Sequence, residues 1–136
     1  MFKAVLDTNV LVSALWTPLG KSAYIVKQVA DEFLQVFYDD RIISEYKDVL
    51  SRPKFKFSSL QVNFLFETIE NNGICLEPAR LPEIDFIDES DRKFFELAKY
   101  CNVPLVTGNL KYYPRDNLII TVAEFYEKIY KAYGEF

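Results

Sequence analysis

Short apolar runs alternate with amphipathic stretches along the whole sequence, and this alternation restricts the fold more than any single residue does. Phe2–Leu6 reads as a buried strand that runs straight into Asp7. Residues 9–15 follow as a short helix, and Pro18-Leu19-Gly20 is a break. Across residues 22–33, Ala23, Ile25, Val26, Val29 and Ala30 recur at helical spacing, and Leu34–Tyr38 gives the next strand. Asp39 or Asp40 caps a helix toward Leu50, with Ile42, Ile43, Tyr46, Val49 and Leu50 on its apolar side and Pro53 stopping it. Ser58 or Ser59 opens another, whose inward stripe is Val62, Leu65, Phe66 and Ile69, and Asn71-Asn72-Gly73 ends it. Residues 74–76 form a short strand, and the Pro- and acid-bearing residues 78–89 form a surface connection. Ser90 or Asp91 begins a helix through Tyr100, with Phe94, Phe95, Leu97 and Ala98 inward. Strand-like residues 103–106 run into Thr107-Gly108-Asn109, residues 118–120 give a last edge strand, and residues 122–133 a closing helix. Apolar strands separated by helices imply an α/β fold with a mostly parallel central sheet covered on both faces.

With 136 residues, the expectation is a single domain over residues 1–136. The net charge of -4 argues against a passive nucleic-acid binder, which works by neutralising phosphates. It does not argue against a metal-dependent nuclease, whose carboxylates gather around a cation. Two basic runs remain, one from Lys54 to Lys56 and one from Lys111 to Arg115 interleaved with Tyr112 and Tyr113; each is either a backbone contact or solvated surface. The frequent Phe and Tyr suit a dense interior or a self-association surface. Cys75 and Cys101 have no CxxC spacing and histidine is absent, so a zinc site and a Cys/His nucleophile have little support; reduced thiols fit a cytoplasmic setting. No signal peptide is read at the start, and no apolar stretch is long enough to span a bilayer, so no membrane is expected.

In a parallel sheet, ligands bind in the crevice outside the carboxyl ends of the strands. Asp7 ends the first strand and Asn109 follows a later one; Glu45 and Asp91, each early in a helix, point to the same rim. Three carboxylates meeting there repel unless protonated or cation-bound, and oxygen-only donors suit Mg2+ or Mn2+. Each residue also has a plainer role. Asp7 or Asp91 caps a helix; Glu45 pairs locally with Lys47 or Arg41; Asn109 precedes a turn. Thr8 and Thr107 orient water or satisfy backbone groups, Ser13 touches phosphate or stabilises its helix, and Asp88 is an outer ligand or part of a solvated acidic loop.

The run Asp7-Thr8-Asn9-Val10-Leu11-Val12-Ser13, then Ile43-Ser44-Glu45-Tyr46 with Val49-Leu50-Ser51-Arg52-Pro53-Lys54-Phe55, resembles the opening motifs of a PIN domain. Asp88 with residues 91–98, Leu105-Val106-Thr107-Gly108-Asn109, and Ile119-Ile120-Thr121 before Phe125 resemble the later ones. The resemblance is to the small prokaryotic group of VapC-like toxins. It implies a three-layer α/β/α fold around a five-stranded sheet, with Asp7, Glu45 and Asp91 as metal ligands and Asn109 and Thr107 completing the polar shell. It further implies a Mg2+- or Mn2+-dependent endoribonuclease with an RNA substrate, a cognate antitoxin and a homodimeric state. Many relatives carry Asp where this chain has Asn109, which puts a second metal position in doubt and keeps open a PIN domain that binds RNA or protein without cutting. A phosphotransfer receiver fits less well, because the early acidic pair is missing, and no GxGxxG follows the first strand to support a dinucleotide site.

Overall fold

A computed structural model describes residues 1–134, so the expected domain end at residue 136 lies outside the described residues. The strands are β1 (Phe2–Leu6), β2 (Leu34–Tyr38), β3 (Ile74–Cys75), β4 (Leu105–Thr107) and β5 (Ile119–Thr121). The helices are α1 (Thr8–Trp16), α2 (Lys21–Ala30), α3 (Asp40–Leu50), α4 (Ser59–Asn72), α5 (Arg92–Cys101) and α6 (Val122–Tyr133). All pairings are parallel and the order is β3-β2-β1-β4-β5. The chain therefore steps outward from β1 to β3, then crosses to β4 on the other side of β1. That reversal opens a crevice between the carboxyl ends of β1 and β4, where the diverging connections leave space.

Helices cover the sheet as the apolar spacing requires. α5 packs on β1 and β2 with α3 beside it, while α2 packs between α4 and α6, with α2 and α4 against β2 and α6 against β4 and β5. The central strands bury nearly everything they carry: Ala4, Val5, Leu6, Leu105 and Val106 are all inaccessible or nearly so. Full burial of a Leu or Phe side chain, as at Leu97, Phe94 and Phe125, stabilises by about 1.5–3 kcal/mol each.

The local signals explain most boundaries. The Asp39 carboxylate accepts from the Ile42 N–H at 2.9 Å and so caps α3, and Ser58 caps α4 through the Gln61 N–H. Thr121 and Glu124 form a reciprocal capping box on α6. Several expected boundaries need correcting: β4 covers Leu105–Thr107 and not residues 103–106, and β5 covers Ile119–Thr121 and not residues 118–120. The helix expected over residues 22–33 stops at Ala30, because Glu32 turns left-handed with φ 65° to feed β2. The strand expected over residues 74–76 keeps only Ile74–Cys75. Gly73 is needed between α4 and β3, since a Cβ there would lie 2.5 Å from the Ile69 carbonyl oxygen and 3.0 Å from the Tyr38 ring.

The surface connection over residues 78–89 is tied down by two charged side chains of α5. Arg92 donates to the carbonyls of Leu81 and Ile84, and buried Glu96 accepts the Leu81 N–H at 2.6 Å. Glu96 also receives Arg41 at 2.7 Å, and Arg41 reaches Asp39 at the same distance. Replacing Glu96 by Ala leaves the half-buried Leu81 N–H and one face of Arg41 without their acceptor. A loss of about 2 kcal/mol in urea unfolding, with an unchanged m-value, is the expected result.

Candidate functional site

The register Leu6↔Val106 carries Asp7 to the side of Thr107, and the Asp7 N–H continues the ladder by donating to the Val106 carbonyl at 3.0 Å. The site begins there. One carboxylate oxygen of Asp7, Oδ2, accepts both the Thr107 hydroxyl at 2.8 Å and the Tyr113 hydroxyl at 2.9 Å. Thr107 Oγ1 in turn accepts the Asn109 N–H at 3.1 Å and the Asn9 amide at 3.4 Å, while Asn9 Oδ1 accepts the Gly108 N–H at 3.1 Å. These bonds lock the turn after β1 to the turn after β4. Asp7 precedes α1 but its side chain makes no capping bond to it. Its carboxylate is turned mainly to the crevice, although the Asn9 N–H in the first turn of α1 still helps to hold its charge.

Glu45 enters from α3. Its Oε2 accepts the Thr8 hydroxyl and its Oε1 meets the Lys93 ammonium at 2.7 Å. Neither local pairing weighed from spacing occurs, because Lys47 pairs with Glu70, and Arg41 with Asp39 and Glu96. Asp91 enters at the end of a 3-10 turn, Glu89–Asp91, directly before α5, and it too makes no side-chain cap.

The electrostatics show that these acids feel one another's charge. Burial, followed by the charges of Asp7, Asp88 and Glu45, pushes the Asp91 carboxyl up to about 7, with Lys93 opposing. Burial likewise raises Asp7, against the hydrogen bonds from Thr107 and Tyr113, and Glu45 adds to the rise. Tyr113 is held protonated well above its usual range, first by burial and then by Asp7 and Asp91, so it serves Asp7 as a donor. A divalent cation fits this set in donor chemistry: every acceptor is oxygen and the negative charge is only partly relieved. Even so, no group of three or more His, Cys, Asp or Glu among the described residues is drawn around a single point. Lys93 pairs with Glu45 and partly relieves its charge.

The remaining expected residues stand further out. Asn109 is exposed and joins the network through its backbone N–H; no hydrogen bond of its side-chain amide is seen among the described residues. Asp88 is exposed and caps the 3-10 turn by accepting the Ser90 N–H at 3.0 Å and hydroxyl at 2.8 Å, although its charge still reaches Asp91. Ser13 is exposed on α1, with its backbone carbonyl taken by the Thr17 N–H. Thr8 and Thr107 are both buried, each donating to a carboxylate of the rim.

Three contributors escaped the sequence reading. Asn9 carried a visible signal, since Asn just past a strand end commonly bonds a neighbouring turn. Lys93 had none, lying inside an amphipathic helix. Tyr113 was grouped with a surface basic run, yet it is buried and points at Asp7. Tyr113→Phe removes one of the two donors that orient Asp7; were Asp7 to hold a metal ion, that change should cost roughly 10-fold or more in metal affinity. A Mn2+ titration by calorimetry on the folded variant should show that loss.

The sequence model of the PIN domain family matches residues 3–111. No curated protein matches the chain. Among solved structures, a chain of VapBC2 from Rickettsia felis, bound to a DNA fragment from their promoter, superposes with a TM-score of 0.57 at 16% identity, covering 88% of this chain and 97% of that one. At that identity the likeness is one of fold.

Proposed function

Because this chain belongs to the PIN domain family, we propose that it is a divalent-metal-dependent endoribonuclease, and that Asp7, Asp91 and Glu45 hold the Mg2+ or Mn2+ ion. The observation that carries this is the rise of Asp91 to about 7 beside a buried Asp7, at the one place where the strand order reverses. Charge left unrelieved at such a cost is what a cation site requires.

The side chains divide the work. Thr107 and Tyr113 hold Oδ2 of Asp7, leaving Oδ1 for a ligand. Thr8 steadies Glu45 from the first turn of α1. Asp91, pushed up to about 7, is partly protonated near neutral pH and would give up that proton on binding a divalent cation. When bound, a divalent cation supplies positive charge for the phosphoryl oxygens and acidifies water. Asn109 supports the corner through its backbone, in keeping with a site built on one strong metal position.

The fold it shares with a chain of VapBC2 supports a toxin held by a cognate antitoxin. The apolar groove of about 530 Å³ between α1, α2 and α4, edged by exposed Leu60 and Phe64, offers a surface for such a partner or for a second copy of the chain. No helix among the described residues is long and apolar enough to cross a membrane. The test is cleavage of structured and single-stranded RNA, with single-stranded DNA alongside, in Mn2+, in Mg2+ and in EDTA. Cleavage that EDTA does not abolish overturns the metal assignment, and DNA cut as well as RNA overturns the substrate. Expression in a bacterial host should arrest growth with the native chain and spare it with Asp7→Asn.

A second reading has an observation of its own. Among the described residues the acids are not gathered around one point and no hydrogen bond of the Asn109 side-chain amide is seen, which would suit a PIN domain that binds RNA or protein without cutting. Calorimetry showing no Mn2+ uptake at millimolar metal would favour it.

A further inference from the structure

Lys93 is the third residue of the Asp91-Arg92-Lys93 run, and its side chain is only 13% exposed although it carries a full charge. Its ammonium sits 2.7 Å from Glu45 Oε1, donates to the Ser90 carbonyl and lies 5.1 Å from the centre of the Phe94 ring. It also opposes the rise of Asp91. In charge and placement it does for Glu45 part of what a metal ion would do.

The neighbouring surface is an open cleft of about 550 Å³ lined by Arg41, Ser44, Glu45, Asp48, Glu89, Arg92 and Lys93. Three cations border it, and two are committed elsewhere. Arg41 is held by Asp39 and Glu96, and Arg92 by Glu89 and the carbonyls of Leu81 and Ile84. Only Lys93, among these, has a carboxylate partner that the metal assignment also claims. Lysine suits exchange, being a compact charge on a flexible four-carbon stem, whereas the arginines are fixed by planar, multiple bonds.

We propose that Lys93 is an exchangeable counter-ion: its ammonium holds Glu45 in the metal-free protein, yields that carboxylate to the divalent cation, and turns into the Arg41–Arg92 cleft to meet a phosphate of the bound strand. This rests on the nuclease reading above. Glu45 swaps one positive partner for another of higher charge, so the rim is never left with three unrelieved carboxylates. Strand binding through Lys93 thereby becomes conditional on a loaded site, which couples substrate capture to readiness for cleavage. No covalent bond changes in the exchange.

Two measurements test it. In the first, acetylation of Lys93 by an N-hydroxysuccinimide ester is followed by peptide mass spectrometry with Mg2+ and with EDTA. Mg2+ should speed labelling several-fold, and Glu45→Gln should label fast in both conditions. In the second, binding of an uncleavable 2′-O-methyl oligoribonucleotide is followed by anisotropy across a salt series. With Mg2+, Lys93→Met should flatten the dependence of log K on log salt by about 0.7, the share of one phosphate contact on a single strand; in EDTA the native and variant slopes should coincide. Equal labelling with and without Mg2+, or a slope difference that is the same in EDTA, overturns the exchange while leaving metal-dependent cleavage standing. Absence of Mg2+ and Mn2+ binding by calorimetry overturns the nuclease reading and the exchange with it.

Discussion

Asp7→Asn should abolish cleavage while leaving the fold intact, with a fall of about 100-fold or more in Mn2+-dependent RNA hydrolysis, the scale expected when a charge-bearing ligand of a catalytic cation is neutralised. The geometry makes this substitution unusually clean. Thr107 and Tyr113 both donate to Oδ2, so the amide oxygen of Asn can take the same place and keep both bonds. Only the other oxygen becomes a nitrogen, which cannot coordinate a cation. Because burial already opposes the ionised form of Asp7, the neutral side chain should melt no lower than the native one in EDTA. Asp7→Ala is the contrasting case. It leaves two buried hydroxyls without their acceptor, and a loss of about 2 kcal/mol is expected beside the loss of activity. Circular dichroism melts next to cleavage assays separate the two. Native-like cleavage by folded Asp7→Asn would remove Asp7 from the site.

The second large effect is a reversal of sign with metal. The Asp91 carboxyl titrates near 7 in the folded chain against an ordinary value of 3.8. A raised carboxyl keeps its proton longer in the folded state than in the unfolded one. Below about pH 4 both states are protonated and there is no penalty. Between about 4 and 7 the unfolded state ionises first, so stability falls as pH rises, and above 7 the penalty is complete. Asp91→Asn removes this term. In EDTA at pH 8 the variant should be more stable than the native chain by about 1 kcal/mol once solvent screening at a half-buried site is discounted, or roughly 3 °C in Tm. At pH 4 the two should coincide. Saturating Mn2+ should invert the order, since the native chain gains binding free energy and the variant has lost a ligand. Parallel melting curves across pH, with equal response to Mn2+, would show that Asp91 neither bears strain nor binds metal.

Both expectations trace to features of very different visibility. The alternation of strands and helices, the cap at Asp39 and the stripe Val62-Leu65-Phe66-Ile69 rest on interactions within a few residues, so spacing alone reveals them. Asp7 was conspicuous because an acid ending an apolar strand has few reasons to be there. Placing Glu45 and Asp91 near it needed the topology of a parallel sheet, and the motif resemblance supplied the order.

What the sequence determined by itself was therefore the layered α/β fold, most element boundaries and the acids as candidates, since periodicity and local bonding are written along the chain. Only tertiary structure decided which partner each acid takes. Thr8 reaches Glu45 across 37 positions, Thr107 reaches Asp7 across 100, and Tyr113 reaches the same carboxylate across 106. Asn109 turned outward, Asp88 went to a turn, and Lys93 was drawn onto Glu45. Such choices depend on which groups the sheet's reversal brings within hydrogen-bonding distance and how little water remains between them. Neither quantity is a property of any local stretch of residues.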